Sequence, residues 1–229
     1  MISATRYFWI FGLLLSSVIS ILIMVSQGLQ PRLLSDPFLQ LPTENSVRVV
    51  WFTEFSGSQH QVNYGSNLQQ NAIASTSQLT RTREDQNSWV GVQTQNNRIY
   101  TQPIPRPIWR HEATITDLTP GQRVPYQVHS TTDNGIKISS QVFSLASLPQ
   151  PGTALKILLT SDHQLKPMTA ANLQKVAETV DIDAVFMAGD LVNIPDRASE
   201  WFDDNRGGAF FPCLQGRAHY QLETNGVTT

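Results

Sequence analysis

Two hydrophobic periods divide this chain. From Ser46 to about Leu145, apolar residues recur at every second position in short runs. Beyond Leu155 they form continuous runs separated by one helical spacing. The run Ser46 to Phe55, SVRVVWFTEF, places Val47, Val49 and Trp51 on one face of a strand. Gln61 to Tyr64 predicts a second strand, ending at Gly65. Trp89 and Val90 mark a further strand, and Ile99 and Tyr100 lie near another. His111 to Leu118 alternates, with Ala113 and Ile115 facing one way, and Thr119-Pro120-Gly121 is a tight turn. Tyr126 and Val128 sit on the following strand. Asp133-Asn134-Gly135 is a hairpin signal, and Val142 to Leu145 closes the series. Many short strands over about 100 residues predict a β-sandwich, residues 43–148. Trp51, Trp89 and Tyr126 are expected in its core. Trp109, in the Pro-rich PIPRPIWRHE, is expected in the core or on a binding rim. His60, His111 and His129 lack metal-ligand spacing and are expected as surface or strand histidines.

A Pro/Gly-rich linker, residues 149–154, leads into the second pattern. Leu155, Ile157 and Leu158 predict a buried strand of the kind parallel sheets use. Met168 to Val180 puts Leu173, Val176 and Val180 on one helical face, with Thr169 as a candidate cap. Ala184 to Met187 is the next strand, and Gly189 permits a sharp turn. The first apolar run ends in Ser161-Asp162-His163-Gln164 and the second in Gly189-Asp190. Parallel strands joined by a helical crossover put their carboxyl ends on the same sheet edge. Asp162 and Asp190 are therefore predicted neighbours, although far apart in sequence. Two such carboxylates repel unless a positive charge lies between them, and a metal ion suits a crevice of this kind. Strand alternation points His163 the other way.

The amino-terminal stretch Tyr7 to Val25 is uncharged and mostly apolar, preceded by Arg6. As a helix it would rise about 28 Å, close to a bilayer's hydrocarbon thickness. Residues 1–28 read either as an uncleaved signal anchor or as a cleaved signal peptide, and both export the rest of the chain. Residues 29–42 read as a Pro-punctuated linker with an incoming strand.

Composition narrows the function. The net charge is -2 over 229 residues, which gives no footprint for nucleic acid. The single cysteine, Cys213, cannot form an intramolecular disulfide and is expected to be buried. Glu200, Asp203 and Asp204 around Trp201 read as a solvated helix-to-loop surface.

SVRVVWFTE followed by HEATITDLTPGQRVPYQVHS resembles a fibronectin type III-like sandwich, and more closely the amino-terminal domain of purple acid phosphatase-like proteins. Leu118, Pro120, Gly121 and Tyr126 match that family's corner, whereas Val124 stands where a tyrosine is usual. Residues 155–229 resemble the first part of a calcineurin-like metallophosphoesterase domain, an α/β fold. That superfamily carries Asp-x-His or Asp-x-Gly, then Gly-Asp, Gly-Asn-His-Asp/Glu, a histidine and Gly-His-x-His. The resemblance implies two divalent or trivalent metal ions (Fe, Zn or Mn) and a bridging hydroxide that hydrolyses a phosphate ester. It makes Asp162 a ligand of the first metal and Asp190 the bridge. Gln164 replaces the His or Gly of the first motif, offering an amide carbonyl or a contact to metal-bound water. Asn193 stands where purple acid phosphatases place a tyrosine ligand, and supplies no phenolate.

After Asn193 no Gly-Asn-His or Gly-His-x-His follows, and His219 matches no family motif. The expectation is a carboxyl-terminally truncated family member with no identifiable catalytic residue and little or no activity. Its partners would be a phosphate ester and, through an uncleaved amino-terminal helix, a membrane. The alternative is an exported binding or scaffold protein that works through its sandwich and keeps a non-catalytic phosphoesterase remnant.

Overall fold

A computed structural model describes residues 31–88, 99–164, 166, 168–203 and 208–218, and the backbone of two short strands beyond them. The apolar amino-terminal segment, Trp89, Val90, Asp204 and His219 lie outside the described residues. Among those described, no helix is long and apolar enough to cross a membrane. From Pro31 onward the chain packs as one unit.

Two antiparallel sheets form the sandwich. In the first, β1 (Phe38–Gln40), β2 (Val47–Thr53), β8 (Ile108–Ile115) and β5 (Ser75–Leu79) lie in that spatial order. The second runs β10 (Lys137–Ser139), β9 (Val124–Thr131), β3 (Gln59–Tyr64) and β4 (Gln70–Ile73), with β11 (Phe143–Leu145) also paired to β9. A two-stranded ribbon, β6 (Arg83–Glu84) with β7 (Ile104–Pro105), stands to one side. The incoming strand is β1, so sheet pairing begins inside the segment read as linker. Ile99 and Tyr100 are not in a strand, and Ile99 is exposed.

Alternation sets the core register. Val47, Val49 and Trp51 on β2 meet Ala113 and Ile115 on β8, Val62 on β3, and Tyr126 and Val128 on β9. The hairpin at Asp133-Asn134-Gly135 closes with Thr132 N–H donating to the Ile136 carbonyl at 3.0 Å. Gly135 adopts φ +83° there, a value that favours glycine. Tyr126 is buried and its hydroxyl donates to the Pro37 carbonyl at 3.4 Å, tying β9 to the segment that leads into β1.

The other face of β2 is buried as well. Val50 and Phe52 pack with Leu34 and Ile108 against Ala198, Phe202, Phe210 and Phe211. The last four belong to short helices α2 (Ala198–Phe202) and α3 (Phe210–Leu214) or sit at their starts. Phe202 and Phe211 stack at 5.3 Å, and Phe52 meets both rings. One strand thus serves two cores, which explains why VRVVWFT breaks the alternation expected of a half-exposed strand.

The strand–helix–strand unit forms as its pattern requires: β12 (Ile157–Thr160), α1 (Thr169–Thr179) and β13 (Ala184–Met187). The two strands pair in parallel, with Ile157 opposite Ala184 and Thr160 opposite Met187. Thr169 is the first helical residue rather than the cap. Its hydroxyl donates to the His163 carbonyl at 3.3 Å, and Met168 occupies the cap position without a side-chain bond. The expectation of a buried first strand is wrong for the described residues. Ile157 is 49% exposed, Leu159 73% and Phe186 58%, because no described layer covers that face. Two backbone hairpin strands, β14 (Glu223–Thr224) and β15 (Val227–Thr228), follow.

Candidate functional site

The carboxyl ends of β12 and β13 meet as the crossover geometry predicts. Asp162 N–H donates to the Gly189 carbonyl at 3.3 Å, and Gln164 N–H to the Asp190 carbonyl at 3.1 Å. The side chain of Gln164 follows, its Nε2 donating to Asp190 Oδ2 at 3.4 Å. Asp162 and Asp190 are exposed at this edge. Their backbones lie in the left-handed region, with φ 59° and 50°. Aspartate tolerates that region better than most residues, but at some cost in strain. Residues held in such sparsely populated backbone conformations cluster at functional sites.

His163 turns away from this edge, as alternation predicts. It is buried, its Nε2 pairs with Thr160 Oγ1 at 2.9 Å, and its ring meets the edge of Phe210. Burial pushes its pKa down, against the pull of Asp162. Asn193 is exposed, and its backbone N–H donates to Glu200 Oε2 at 2.7 Å.

The edge therefore gathers Asp162, Asp190 and Gln164. Gln164 Oε1 is buried without a hydrogen-bond partner, an amide oxygen of the hard kind that divalent cations accept. Two carboxylates and one amide fall short of what two metal ions need. Among the described residues, no three His, Cys, Asp or Glu side chains converge on a possible ion. The residues present do not fit a two-metal centre, and no hydrolytic step follows from them.

A second constellation ties this edge to the sandwich, and the sequence did not reveal it. Arg106, flanked by two prolines, is buried among three carboxylates. Its Nε donates to Glu54 Oε1 at 2.6 Å, its Nη1 to Glu84 Oε1 at 2.8 Å, and Nη1 and Nη2 together grip Asp203 at 2.6 and 3.1 Å. Ser199 donates to the other oxygen of Glu84 at 2.8 Å. Beside this cluster, Arg197 reaches Asp85 at 3.0 Å and Glu200 at 2.6 Å. Glu200 Oε2 in turn accepts the backbone N–H groups of Asn193 and Ile194. Arg83 and Arg81 both hold Asp196.

Glu200 and Asp203 are thus 2% and 1% exposed, and the reading of a solvated acidic surface is corrected. They are ion-paired anchors of the turn that follows Asp190. With more carboxylates than guanidinium groups around Arg106, burial pushes Asp203 up to about 6 despite its bidentate partner. Opposing charges hold Arg106 in its protonated form although burial acts the other way. The partners come from Glu54, the β6–β7 ribbon and α2, so no local pattern could have joined them. The one local hint was a pair of acids spaced i, i+3 beside Trp201 and Phe202. Cys213 is buried, as expected.

The corner residues, the twin sheets and the strand register all point the same way, and a family comparison decides it. The family model "Purple acid Phosphatase, N-terminal domain" matches residues 35–147. This segment matches a purple acid phosphatase N-terminal domain. It begins before β1 and ends after β11, so it spans the whole sandwich.

No curated protein matches the chain. Among solved structures, the purple acid phosphatase from yellow lupin (Lupinus luteus) seeds is similar at 18% identity and a TM-score of 0.48, over 82% of this chain and 33% of that one. The chain thus spans about a third of that structure's length. Astrotactin-2, a vertebrate-specific perforin-like membrane protein, aligns at 9% identity and a TM-score of 0.30, over 68% of this chain and 27% of that one. The archaellum periplasmic stator protein FlaG from Sulfolobus acidocaldarius aligns at 15% and 0.25, over 50% of this chain and 100% of that one. Similarity to the purple acid phosphatase N-terminal domain relates the chain to phosphoesterases through a domain that carries no catalytic centre of its own.

Proposed function

We propose that this chain is an exported protein of the metal-dependent phosphoesterase type, in which the purple acid phosphatase N-terminal domain anchors the sheet edge bearing Asp162 and Asp190. The observation that carries this reading is the pair of aspartates in left-handed backbone at adjacent strand ends, downstream of that domain. Asp162 and Asp190 would be the carboxylate ligands of a hard cation, with Gln164 contributing its orphaned amide oxygen. Asn193, exposed three residues beyond Asp190, is the outermost candidate. Export follows from the apolar amino-terminal stretch. The Arg106 and Arg197 clusters fix the turn after Asp190 against the sandwich, so the domain acts as a rigid mount.

The test is Mn²⁺ titration of the 229-residue protein, followed by paramagnetic broadening of backbone amides. Broadening is expected to centre on Asp162 and Asp190 and to disappear in Asp190→Asn. Hydrolysis of a chromogenic phosphate monoester is expected to be no faster than in Asp190→Asn, since the donors at the edge fall short of a two-metal set. Broadening centred elsewhere would sink the proposed ligand pair. Metal-independent ligand binding that survives in Asp190→Asn would assign the working surface to the sandwich instead.

A further inference from the structure

The inner layer of the sandwich ends in polar residues. Continuing the inward positions of four strands past the aliphatic core gives Trp51 on β2, His60 on β3, His111 on β8 and Ser130 on β9. His60 and His111 are 5% and 0% exposed, which corrects any surface reading of them. His60 belongs to one sheet and His111 to the other, and their rings stack with centroids 3.6 Å apart and planes 15° apart.

The hydrogen bonds fix the proton positions. His60 Nε2 faces the Ser56 carbonyl at 2.6 Å, which can only accept, so Nε2 carries the proton. Trp51 Nε1 can only donate, and it donates to Ser130 Oγ at 2.9 Å. Ser130 then has its own proton to give, and His60 Nδ1 lies 2.9 Å away as acceptor. On the partner ring, Thr53 Oγ1 gives its proton to the Phe55 carbonyl at 2.6 Å, so it accepts from His111 Nε2 at 2.8 Å. His111 Nδ1 accepts from Thr76 Oγ1 at 2.9 Å. Every ring nitrogen is satisfied when both rings are neutral with the proton on Nε2. A further proton on His60 would face the hydroxyl proton of Ser130, and one on His111 that of Thr76. It would also set a charge against the neighbouring ring.

We infer that the stacked His60–His111 pair is a proton-operated catch between the two sheets, closed when both rings are neutral and released when they are protonated. The loop that the catch holds is the β2–β3 connection. It supplies the Ser56 and Phe55 carbonyls and also carries Glu54, the partner of Arg106. Release would therefore loosen the charge cluster that grips Asp203 and α2. Gly57 keeps this loop tight against the pair: at φ +63°, an added Cβ would collide with the Thr131 carbonyl and the His60 ring.

The charged surroundings are sparse. Asp133 is the side chain that favours a charge on His60, and His60 is the titratable group that acts on His111. Thr53, Thr76, Ser130, Trp51 and Phe55 complete the lining without charge. Burial holds both histidines below their usual range, His111 at about 3. The sign follows. A histidine that is neutral when folded and titrates near 6.5 when unfolded leaves stability intact above that pH, and removes it progressively below.

Chemical denaturation of the full chain at pH 7.5 and 5.5 tests this. His111 should lower the folding constant about tenfold between those values, and His60 should add to the loss in the same direction. His129 and His163, and Asp203 with the opposite sign, remain as background, so the comparison is with His60→Gln/His111→Gln, whose amides can replace one donor and one acceptor each. That double variant should lose most of the pH dependence. An unchanged dependence would overturn the inference. Ring ¹⁵N spectra of the unaltered protein at neutral pH give a second readout. Two neutral Nε2–H tautomers are expected, and a charged ring in either position would equally overturn it.

Discussion

The sandwich and the strand–helix–strand unit are both built from apolar strands, yet they differ in what covers them. On β2 both faces are buried, one by the opposite sheet and one by α2 and α3. On β12 and β13, Leu159 and Phe186 lie more than half exposed. Similar hydrophobic runs thus end in opposite environments. An apolar run states a demand for cover, and only tertiary context shows whether the described chain meets it.

The sharpest way to break this comparison is to remove one ring from each side. Phe52→Ala should cost about 3–5 kcal/mol, since it opens a cavity among Phe38, Phe202 and Phe211. Phe186→Ala should change stability by less than about 0.5 kcal/mol. Urea unfolding of both variants measures the contrast, and equal losses would show that β13 is covered after all.

Arg106→Ala probes the polar side of the same junction. It leaves Glu84 and Asp203 buried without their cation, so a loss of about 3–5 kcal/mol is expected. Proteolysis should then reach the segment 193–203 first. Loss of stability without that local exposure would separate the charge cluster from the anchoring of α2.

A smaller effect is expected from pH at Asp203. Its folded pKa of about 6 lies above the usual carboxylate value. Its contribution is therefore fully present below about pH 4 and lost as pH rises through about 6. This sign opposes that of the histidine pair. Carboxyl ¹³C titration of Asp203 checks it, and a midpoint near 4 would contradict the burial argument. The smallest change is at the strand-end turns. Asp162→Gly and Asp190→Gly should each gain up to about 1 kcal/mol by relieving left-handed backbone, provided no other contact is lost.

Much of the sandwich was legible in the sequence. Period-two alternation placed Val47, Val49, Trp51, Ala113, Ile115, Tyr126 and Val128 in one core, because a half-buried strand writes its environment into neighbouring positions. The meeting of Asp162 with Asp190 was legible too, since crossover handedness and strand ends depend on topology alone. What could not be read was pairing between distant polar residues. Arg106 and Asp203 are joined by folding, and nothing near either marks the other. Burial of His60 and His111 was not legible for a related reason: they sit in phase with the aliphatic positions, but an imidazole suits an exposed strand position as well as a buried one. Ile99 and Tyr100 carried strand-like residue types without a partner strand.

The double burial of β2 also sets where this protein can be divided. A chain cut at Gly152 would retain every strand of the sandwich and still present Val50, Phe52, Ile108 and Leu34 as a bare oily face. Such a fragment should self-associate in concentrated solution although its sheets are intact. Replacing the outer-facing Val50 and Phe52 by threonine would be the first step towards a soluble isolated sandwich, because those two side chains serve the neighbour rather than the sheet pair.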